Sequence, residues 1–324
     1  MDGGGTNTRA LIIDGSGQGH GLAKSGPSNY DYVGIEIARK NIGDAVQAAW
    51  NRAGLKPRPA AGIFLGIAGV TGMADRTTIE VIASKLHLAE PARVGVDHDI
   101  RILLAGGLGG EPGIALIVGT GSSCYARNAT GNAFKVGGFG PLVDDLGSGY
   151  ALGVQAMRAA AFAADGRGPA TSLSEAVMGF LDITSMDNFL RRVHHDGLTR
   201  TQIASLAPMV VSCAQTGDGI AMDILRRGAI DLAEMVAAIV RQMGCDGPLA
   251  LVIGGGLGEA ETIYRQELLQ ALRRLAPQIT ITQPLFPAVA GAALLAMEAA
   301  GKRFGTKERE NLAEFLAKEA CRTC

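Results

Sequence analysis

The chain has 324 residues, of which 47% are apolar and 19% charged, enough apolar material for one large domain or two smaller ones. Lysine and arginine number 30 against 31 acidic residues, and aromatic residues make up 5%, so charge and base stacking give no reason to bind nucleic acid or an anionic membrane. Five scattered cysteines suit a reducing compartment rather than a disulfide framework, and we interpret the terminal "CRTC" as a polar tail. Since no signal peptide or membrane-spanning run is present, we predict a cytoplasmic globular protein.

The first third of the chain alternates between strand and helix patterns. "RALIID" and "GLAKSG", separated by a glycine turn, predict a β-hairpin. The later segments predict a helix over 33–51, a buried strand over 61–70, a helix over 76–88 and a short strand over 92–99. This alternation is typical of an α/β fold.

The rest of the chain repeats the alternation. "GIALIVGTGSSCYARN" predicts a strand, a glycine turn and a returning strand, and residues 131–163 predict a glycine-rich loop entering a helix. "PLALVIGGGLG" predicts a strand ending in three glycines, followed by a helix over 261–277, a strand over 278–284 and a small-residue helix over 288–301.

Three stretches share a strand that meets a glycine turn: "DGGGTNT", "LIVGTGSS" and "LVIGGGLG". The first two lead into a returning strand, whereas Walker and dinucleotide-binding loops lead directly into a helix, so those two classes are set aside. Glycine lets backbone N–H groups approach an anion, and two such hairpins could hold a polyphosphate. Taken singly, each glycine run is more often an ordinary turn, but the three in this order favour a phosphate site.

The predicted phosphate ligands lie in the two hairpins. They are Gly4, Gly5, Thr6, Asn7, Thr8, Gly119, Thr120, Gly121 and Ser122, with Ser123 as a further hydroxyl. Asp2 would repel a phosphate by itself, so we expect it to act through Mg²⁺, with water between the carboxylate and the metal.

These motifs, together with "GGFGPLVDDLGSGYALG", resemble the BadF/BadG type of ATPase, and within it the N-acetylglucosamine and glucosamine kinases. The resemblance runs through almost the whole chain. It implies two RNase H-like α/β domains of the actin-like ATPase kind around a cleft that binds ATP. The implied domains are 1–106 with a returning helix in 287–324, and 107–286.

The resemblance also implies roles for particular residues. Asp99 matches the catalytic base of the family, and Asp97, two residues earlier, is the competing candidate. The alternative for Asp99 is a purely structural role as a helix N-cap. The implied sugar ligands are Asn29, Asp99, Thr120, Gly138 and Asp145, and Gly254, Gly255 and Gly256 would flank the adenosine. For Asn29, a plain turn after Pro27 remains an equal alternative.

The chain departs from the family pattern at two places. Asp144 and Leu146 stand where family members usually have glycine and glutamate, which puts the identity of the sugar in doubt. Only Met1 precedes the first glycine motif, where the family has an apolar strand. We therefore expect the natural start to lie upstream, the alternative being a shortened first strand.

The resulting hypothesis is an ATP- and Mg²⁺-dependent kinase that phosphorylates the 6-hydroxyl of an amino sugar, with N-acetylglucosamine first. Glucosamine or another hexose is the nearest alternative, and a homodimer is possible. A dehydratase-activating ATPase with an iron–sulfur cluster, or a sugar sensor without catalysis, are the rivals from other classes.

Overall fold

The structure is a computed structural model that describes residues 1–244 and 247–323. Two cysteines, Cys245 and Cys324, lie outside the described residues. Cys324 is the last residue of the predicted polar tail, so that prediction falls partly outside them as well. The chain divides into two compact units, one formed by Met1–Gly113 with Thr282–Cys324 and the other by Ile114–Ile281. Each unit has its own five-stranded sheet with helices around it, so the predicted α/β class is confirmed.

The elements follow the predicted alternation, except that residues 133–137, in the predicted glycine-rich loop, form a strand. The strands are β1 Asp2–Gly3, β2 Thr8–Ile13, β3 Gly19–Ser25, β4 Ile63–Ile67, β5 Val94–Asp97, β6 Gly113–Val118, β7 Ser122–Arg127, β8 Ala133–Gly137, β9 Leu249–Gly254 and β10 Ile279–Ile281. The α-helices are α1 Tyr30–Val33, α2 Ile35–Ala53, α3 Met73–Lys85, α4 Asp99–Gly107, α5 Gly149–Ala164, α6 Leu173–Leu181, α7 Arg200–Ala204, α8 Ala207–Gln215, α9 Gly219–Met243, α10 Gly256–Glu259, α11 Ile263–Leu275, α12 Ala288–Ala299 and α13 Thr306–Thr323. None of the described helices has the length and apolar character needed to cross a bilayer.

Both sheets have the same strand order. The first runs β3-β2-β1-β4-β5, with antiparallel pairs up to β1 and parallel pairs from β1 to β5. The second runs β8-β7-β6-β9-β10, in which β6, β9 and β10 are parallel neighbours. Three parallel strands in each unit therefore end at one edge of their sheet, the usual position of ligand sites in α/β proteins.

Buried aliphatic side chains fill each unit separately. In the first unit Ile42 of α2 packs with Leu65 and Ile67 of β4. In the second, Leu232 and Val236 of the long helix α9 lie in a larger cluster. The apolar residues that recur at helical spacing in α2 and α9 thus form one face of each helix, and this face packs on the sheet of its unit.

A cavity of about 1100 Å³ lies in the first unit beyond the start of β1. It is lined by residues 10–14 of β2 and its following turn, residues 62–64 at β4, and side chains of α2 and α12. Met1 also lines it, and the Met1 amine is buried and donates a hydrogen bond of 2.6 Å to the carbonyl of Phe64. Burial lowers the pKa of this amine from 8.0 to about 5, because a charge is costly away from water.

Candidate active site

The candidate residues of the first unit gather at the carboxyl edge of its sheet. Gly3 of β1 pairs opposite Ile67 of β4, and Gly66 of β4 pairs opposite Asp97 of β5. The parallel register therefore brings Asp2, the β4 exit and Asp99 to one edge, although they are far apart in the sequence.

The first glycine turn joins β1 to β2. Gly4 N donates to Asn7 O at 2.8 Å, and Gly5 and Thr6 lie exposed at the tip. A Cβ on Gly3 would collide with Ser28 Oγ, so glycine is required where the turn leaves the sheet. Thr8 differs from Thr6, because the Thr8 side chain is fully buried and its hydroxyl donates to Gly26 O at 2.7 Å.

Asp97 and Asp99 have different surroundings. Asp97 is 8% exposed and accepts hydrogen bonds of 2.8 Å from both Arg76 and Arg101. Asp99 is the first residue of α4, and the N-cap of that helix is His98. The alternative that Asp99 is only the N-cap is therefore wrong. His98 Nδ1 accepts a hydrogen bond of 3.3 Å from Ile100 N and lies 2.5 Å from Asp99 Oδ1, a buried atom with no hydrogen-bond partner among the described residues.

Asp2 and Asp99 interact electrostatically. Burial raises the pKa of Asp2 above its ordinary value, and the negative charge of Asp99 raises it further. Two carboxylates that disfavour each other's charge are relieved by a cation. Among the described residues no group of three or more acidic, histidine or cysteine side chains could hold a metal ion. The pair of Asp2 and Asp99 fits Mg²⁺ rather than a metal with a full set of protein ligands, because proteins often bind Mg²⁺ through one or two carboxylates, phosphates and water.

Asn29 begins α1 and lies near the exit of β4. Its Oδ1 accepts a hydrogen bond of 3.2 Å from Asp31 N, which makes Asn29 the N-cap of α1. A Cβ on Gly69, which has φ of 96°, would lie 2.8 Å from the same Oδ1 and 3.0 Å from Asp31 Oδ2. The turn predicted for Asn29 is thus present, and it holds the Asn29 amide close to the β4 exit.

The second unit carries the other two glycine turns on neighbouring strands. The turn between β6 and β7 is closed by a bond of 2.9 Å from Gly119 N to Gly121 O. Ile117 of β6 pairs opposite Gly254 of β9, and Gly255 has φ of 88° with its built Cβ 2.5 Å from Val118 O. There is room only for backbone between the end of β6 and the end of β9. The glycine turns that follow these two strands therefore lie side by side and form one surface.

The loop before α5 holds the predicted sugar ligands of this unit. Asp145 is 3% exposed and has a φ of 60°, which is strained for a residue with a side chain. Its Oδ1 accepts from Ser122 N at 3.2 Å, and its Oδ2 forms an ion pair with Arg200. Gly138 has φ of 75° and lies against Ser123. The loop is therefore fastened to the glycine turn of β6 and β7.

The Asp144 side chain makes a hydrogen bond that the glycine usual at this position could not make. Its Oδ2 accepts a hydrogen bond of 3.1 Å from Phe139 N, which closes the segment between β8 and Asp145. Leu146, at the usual glutamate position, has an exposed side chain, and its carbonyl accepts from Ser122 Oγ at 2.8 Å. The predicted ligand Ser122 thus uses both its N–H and its hydroxyl within the unit.

Arg200 is a residue of the candidate site that sequence reasoning missed. It begins α7, 55 positions after Asp145, and no local pattern links the two. Tyr264 was missed in the same way, although its hydroxyl donates 2.6 Å to Gly147 O within the Asp145 loop. The sequence pattern around Arg200 and Tyr264 predicts only that each belongs to a helix, and it does not indicate which loop the side chain contacts.

The fold and the two glycine-lined edges define a sugar-kinase-like ATPase. A solved structure of a candidate N-acetylglucosamine kinase from Chromobacterium violaceum superimposes with a TM-score of 0.74 at 30% identity, covering 91% of this chain and 96% of the other. The chain matches the sequence profile of the BadF/BadG/BcrA/BcrD ATPase family over residues 1–296, and it belongs to that family. Membership implies the use of ATP, as the resemblance predicted.

Two characterised relatives match most of the chain. N-acetylmuramic acid/N-acetylglucosamine kinase of Clostridium acetobutylicum is 29% identical over 91% of this chain and 96% of its own length. Glucosamine kinase GspK of Vibrio cholerae is 31% identical over 74% of this chain and 79% of its own. Both relatives are kinases of amino sugars, the class that the resemblance predicted.

Proposed function

We propose that the protein is an ATP-dependent kinase that transfers the γ-phosphoryl group of ATP to the 6-hydroxyl of N-acetylglucosamine. The observation that carries the proposal is the placement of Asp99. It lies at the carboxyl edge of the first sheet beside Asp2, while Asp97 is occupied by two arginines. Family membership and the names of the relatives support the same reaction.

Asp99 takes the general-base role. Its carboxylate accepts the proton of the sugar hydroxyl as the oxygen forms a bond to the γ-phosphorus. The bond between that phosphorus and the oxygen bridging to the β-phosphate breaks, and ADP leaves with the bridging oxygen. Asp99 Oδ1 is a buried atom with no hydrogen-bond partner among the described residues, which leaves it available to accept that proton. Asp97 is the weaker candidate because both of its carboxylate oxygens already accept hydrogen bonds, one from Arg76 and one from Arg101.

The remaining predicted ligands divide between the two units. In the first, Gly4, Gly5 and Thr6 offer backbone and hydroxyl donors to phosphate, and Asn29 offers an amide to the sugar. Asp2 would hold Mg²⁺, which neutralises charge on the phosphates when bound. In the second unit, the predicted ligands are Gly119, Thr120 and Gly121 for phosphate, Gly254, Gly255 and Gly256 for adenosine, and Gly138, Thr120 and Asp145 for the sugar.

Glucosamine is the second candidate substrate. The Vibrio cholerae relative acts on it, and Leu146 replaces the polar residue usual in the sugar loop. The iron–sulfur alternative has less support in the described residues, because Cys124 is fully buried and burial raises the pKa of its thiol. A buried neutral thiol is a poor cluster ligand.

The test is ADP release with N-acetylglucosamine, glucosamine, glucose and 6-deoxy-N-acetylglucosamine. We expect turnover of an amino sugar that keeps its 6-hydroxyl, none with the deoxy analogue, and a 6-phosphate product by phosphorus NMR. Asp99→Asn should lower kcat by about 10²- to 10⁴-fold. Asp44→Asn is the matched control, because Asp44 is an exposed carboxylate of the same unit and pairs with the exposed Lys40. If the wild type turns over none of the sugars, the proposal fails.

A further inference from the structure

The ion pair between Asp145 and Arg200 joins three segments of the second unit. Asp145 lies in the loop before α5, Arg200 begins α7, and the Asp145 carboxylate also accepts from Ser122 N of the β6–β7 turn at 3.2 Å. The Asp145 side chain is 4% exposed and that of Arg200 24% exposed. A charge pair buried to this degree is costly to break from one side, because the remaining charge is left without a partner.

Gly121 provides the space for this arrangement. A Cβ built on Gly121 would overlap Arg200 Nη2 and lie 2.9 Å from Asp145 Oδ1. The guanidinium and the carboxylate therefore pack directly against the glycine turn. The same loop is tied down by Ser122 Oγ to Leu146 O at 2.8 Å and by Tyr264 to Gly147 O at 2.6 Å.

We propose that Arg200 is a positioning residue for sugar binding, which holds the Asp145 carboxylate against the β6–β7 turn so that it can accept a sugar hydroxyl. The inference rests on the proposed function, because it takes Asp145 as a sugar ligand. Arg200 itself need not touch the sugar. An ionised carboxylate accepts a hydroxyl hydrogen bond more strongly than a neutral one does.

The electrostatics of the site agree with this role. The pKa of Asp145 lies above its ordinary value, because burial outweighs the lowering by the Arg200 charge and the Ser122 N–H, and the neighbouring Asp144 raises it further. Arg200 on α7 is the opposing positive charge, and Asp144 on the same loop is the repelling negative one. Removing the guanidinium leaves only the Ser122 N–H to oppose burial and Asp144, which both favour the protonated form.

The first experiment needs no substrate. The Asp145 carboxyl carbon is followed by NMR against pH in the wild type, in Arg200→Gln and in Arg200→Lys, with Asp145→Asn to assign the signal. We expect Arg200→Gln to raise the pKa of Asp145 and Arg200→Lys to restore a lower value in part. An unchanged titration in Arg200→Gln would overturn the inference, whichever sugar the protein uses.

The second experiment separates binding of sugar from binding of ATP. Arg200→Gln should raise KM for the amino sugar by about 10- to 100-fold, the effect of losing a charge-assisted hydrogen bond, and leave KM for ATP within about threefold. The acid limb of kcat/KM for the sugar should move to higher pH. Arg167→Gln is the control, since Arg167 forms an exposed pair with Asp165 in the same unit.

A double-mutant cycle decides whether Arg200 acts through Asp145. In the Asp145→Asn background, Arg200→Gln should change sugar KM by less than about twofold, because the acceptor is already neutral. Equal effects of Arg200→Gln in both backgrounds would contradict the inference. If the wild type turns over no sugar while the NMR titration behaves as expected, the proposed function fails and the Arg200–Asp145 linkage stands.

Discussion

Arg101 donates a hydrogen bond of 2.8 Å from its guanidinium to Oδ2 of Asp97, two residues before the candidate base Asp99. Arg76 approaches the other carboxylate oxygen at the same distance. The two neighbouring aspartates of "VDHD" thus differ in their chemistry, one engaged by fixed positive charges and the other facing Asp2.

This difference predicts opposite outcomes for two matched substitutions. Asp97→Asn should lower the free energy of unfolding by about 1–3 kcal/mol, because Arg76 and Arg101 lose a charged acceptor, and should leave kcat within about tenfold. Asp99→Asn should lower kcat by about 10²- to 10⁴-fold with little change in stability. Urea unfolding and steady-state rates, measured on the same preparations, check both. The reverse pattern would make Asp97 the base.

In a protein expressed to begin at Met1, the buried Met1 amine makes the free energy of unfolding depend on pH. Its pKa is about 5 in the folded protein and 8.0 as a free amine, so between these values the unfolded chain binds more protons. The free energy of unfolding should therefore rise as the pH increases from 5 to 8, by up to about 4 kcal/mol from this group. Urea unfolding at several pH values measures the slope.

An extended variant provides the control for that slope. The registers of β1 place three residues added before Met1 opposite Leu11–Ile13 of β2 and residues 62–64 at β4, within the cavity of about 1100 Å³. Three β-branched residues there should remove the buried amine, raise Tm and flatten the pH dependence. A slope as steep as that of the unextended chain would show that other groups cause it.

The two glycines after β9 should respond differently to a methyl group. Gly255 has φ of 88° and its built Cβ lies 2.5 Å from Val118 O, so Gly255→Ala should destabilise the second unit by about 1–3 kcal/mol. Apart from its chain neighbours and the backbone of α10, no described atom lies within 4 Å of a Cβ on Gly256. Gly256→Ala should therefore fold normally and raise KM for ATP, with KM for the sugar unchanged. Thermal unfolding and kinetics distinguish the two, and an unaltered KM for ATP in Gly256→Ala would remove it from the adenosine site.

Leu146→Glu tests the departure from the family pattern. Leu146 is 51% exposed and holds the loop through its backbone carbonyl, so glutamate should be accepted without loss of stability. We expect a several-fold lower KM for the amino sugar, because a second acceptor becomes available to its hydroxyls. Leu146→Gln keeps the size without the charge, and an equal effect of both would indicate shape rather than charge.

The sequence by itself determined the local elements and the glycine turns. Strand and helix periodicity predicted the hairpin of β2 and β3, the helix α2 and the strands β4, β6 and β9, because burial repeats at the period of the element. The turns after β1, β6 and β9 were also predictable, since glycine is needed where backbone approaches backbone, as at Gly3 and Gly255.

Only the tertiary structure decided which side chains meet. Asp97 and Asp99 read alike in the sequence, and the packing of α3 and α4 against β5 brings Arg76 and Arg101 to Asp97 alone. Arg200 reaches Asp145 across 55 positions because α7 lies beside the β6–β7 turn. Such pairings depend on strand register and helix placement. Both are fixed by many weak contacts spread over the whole unit, so the local sequence around either residue does not reveal the pair.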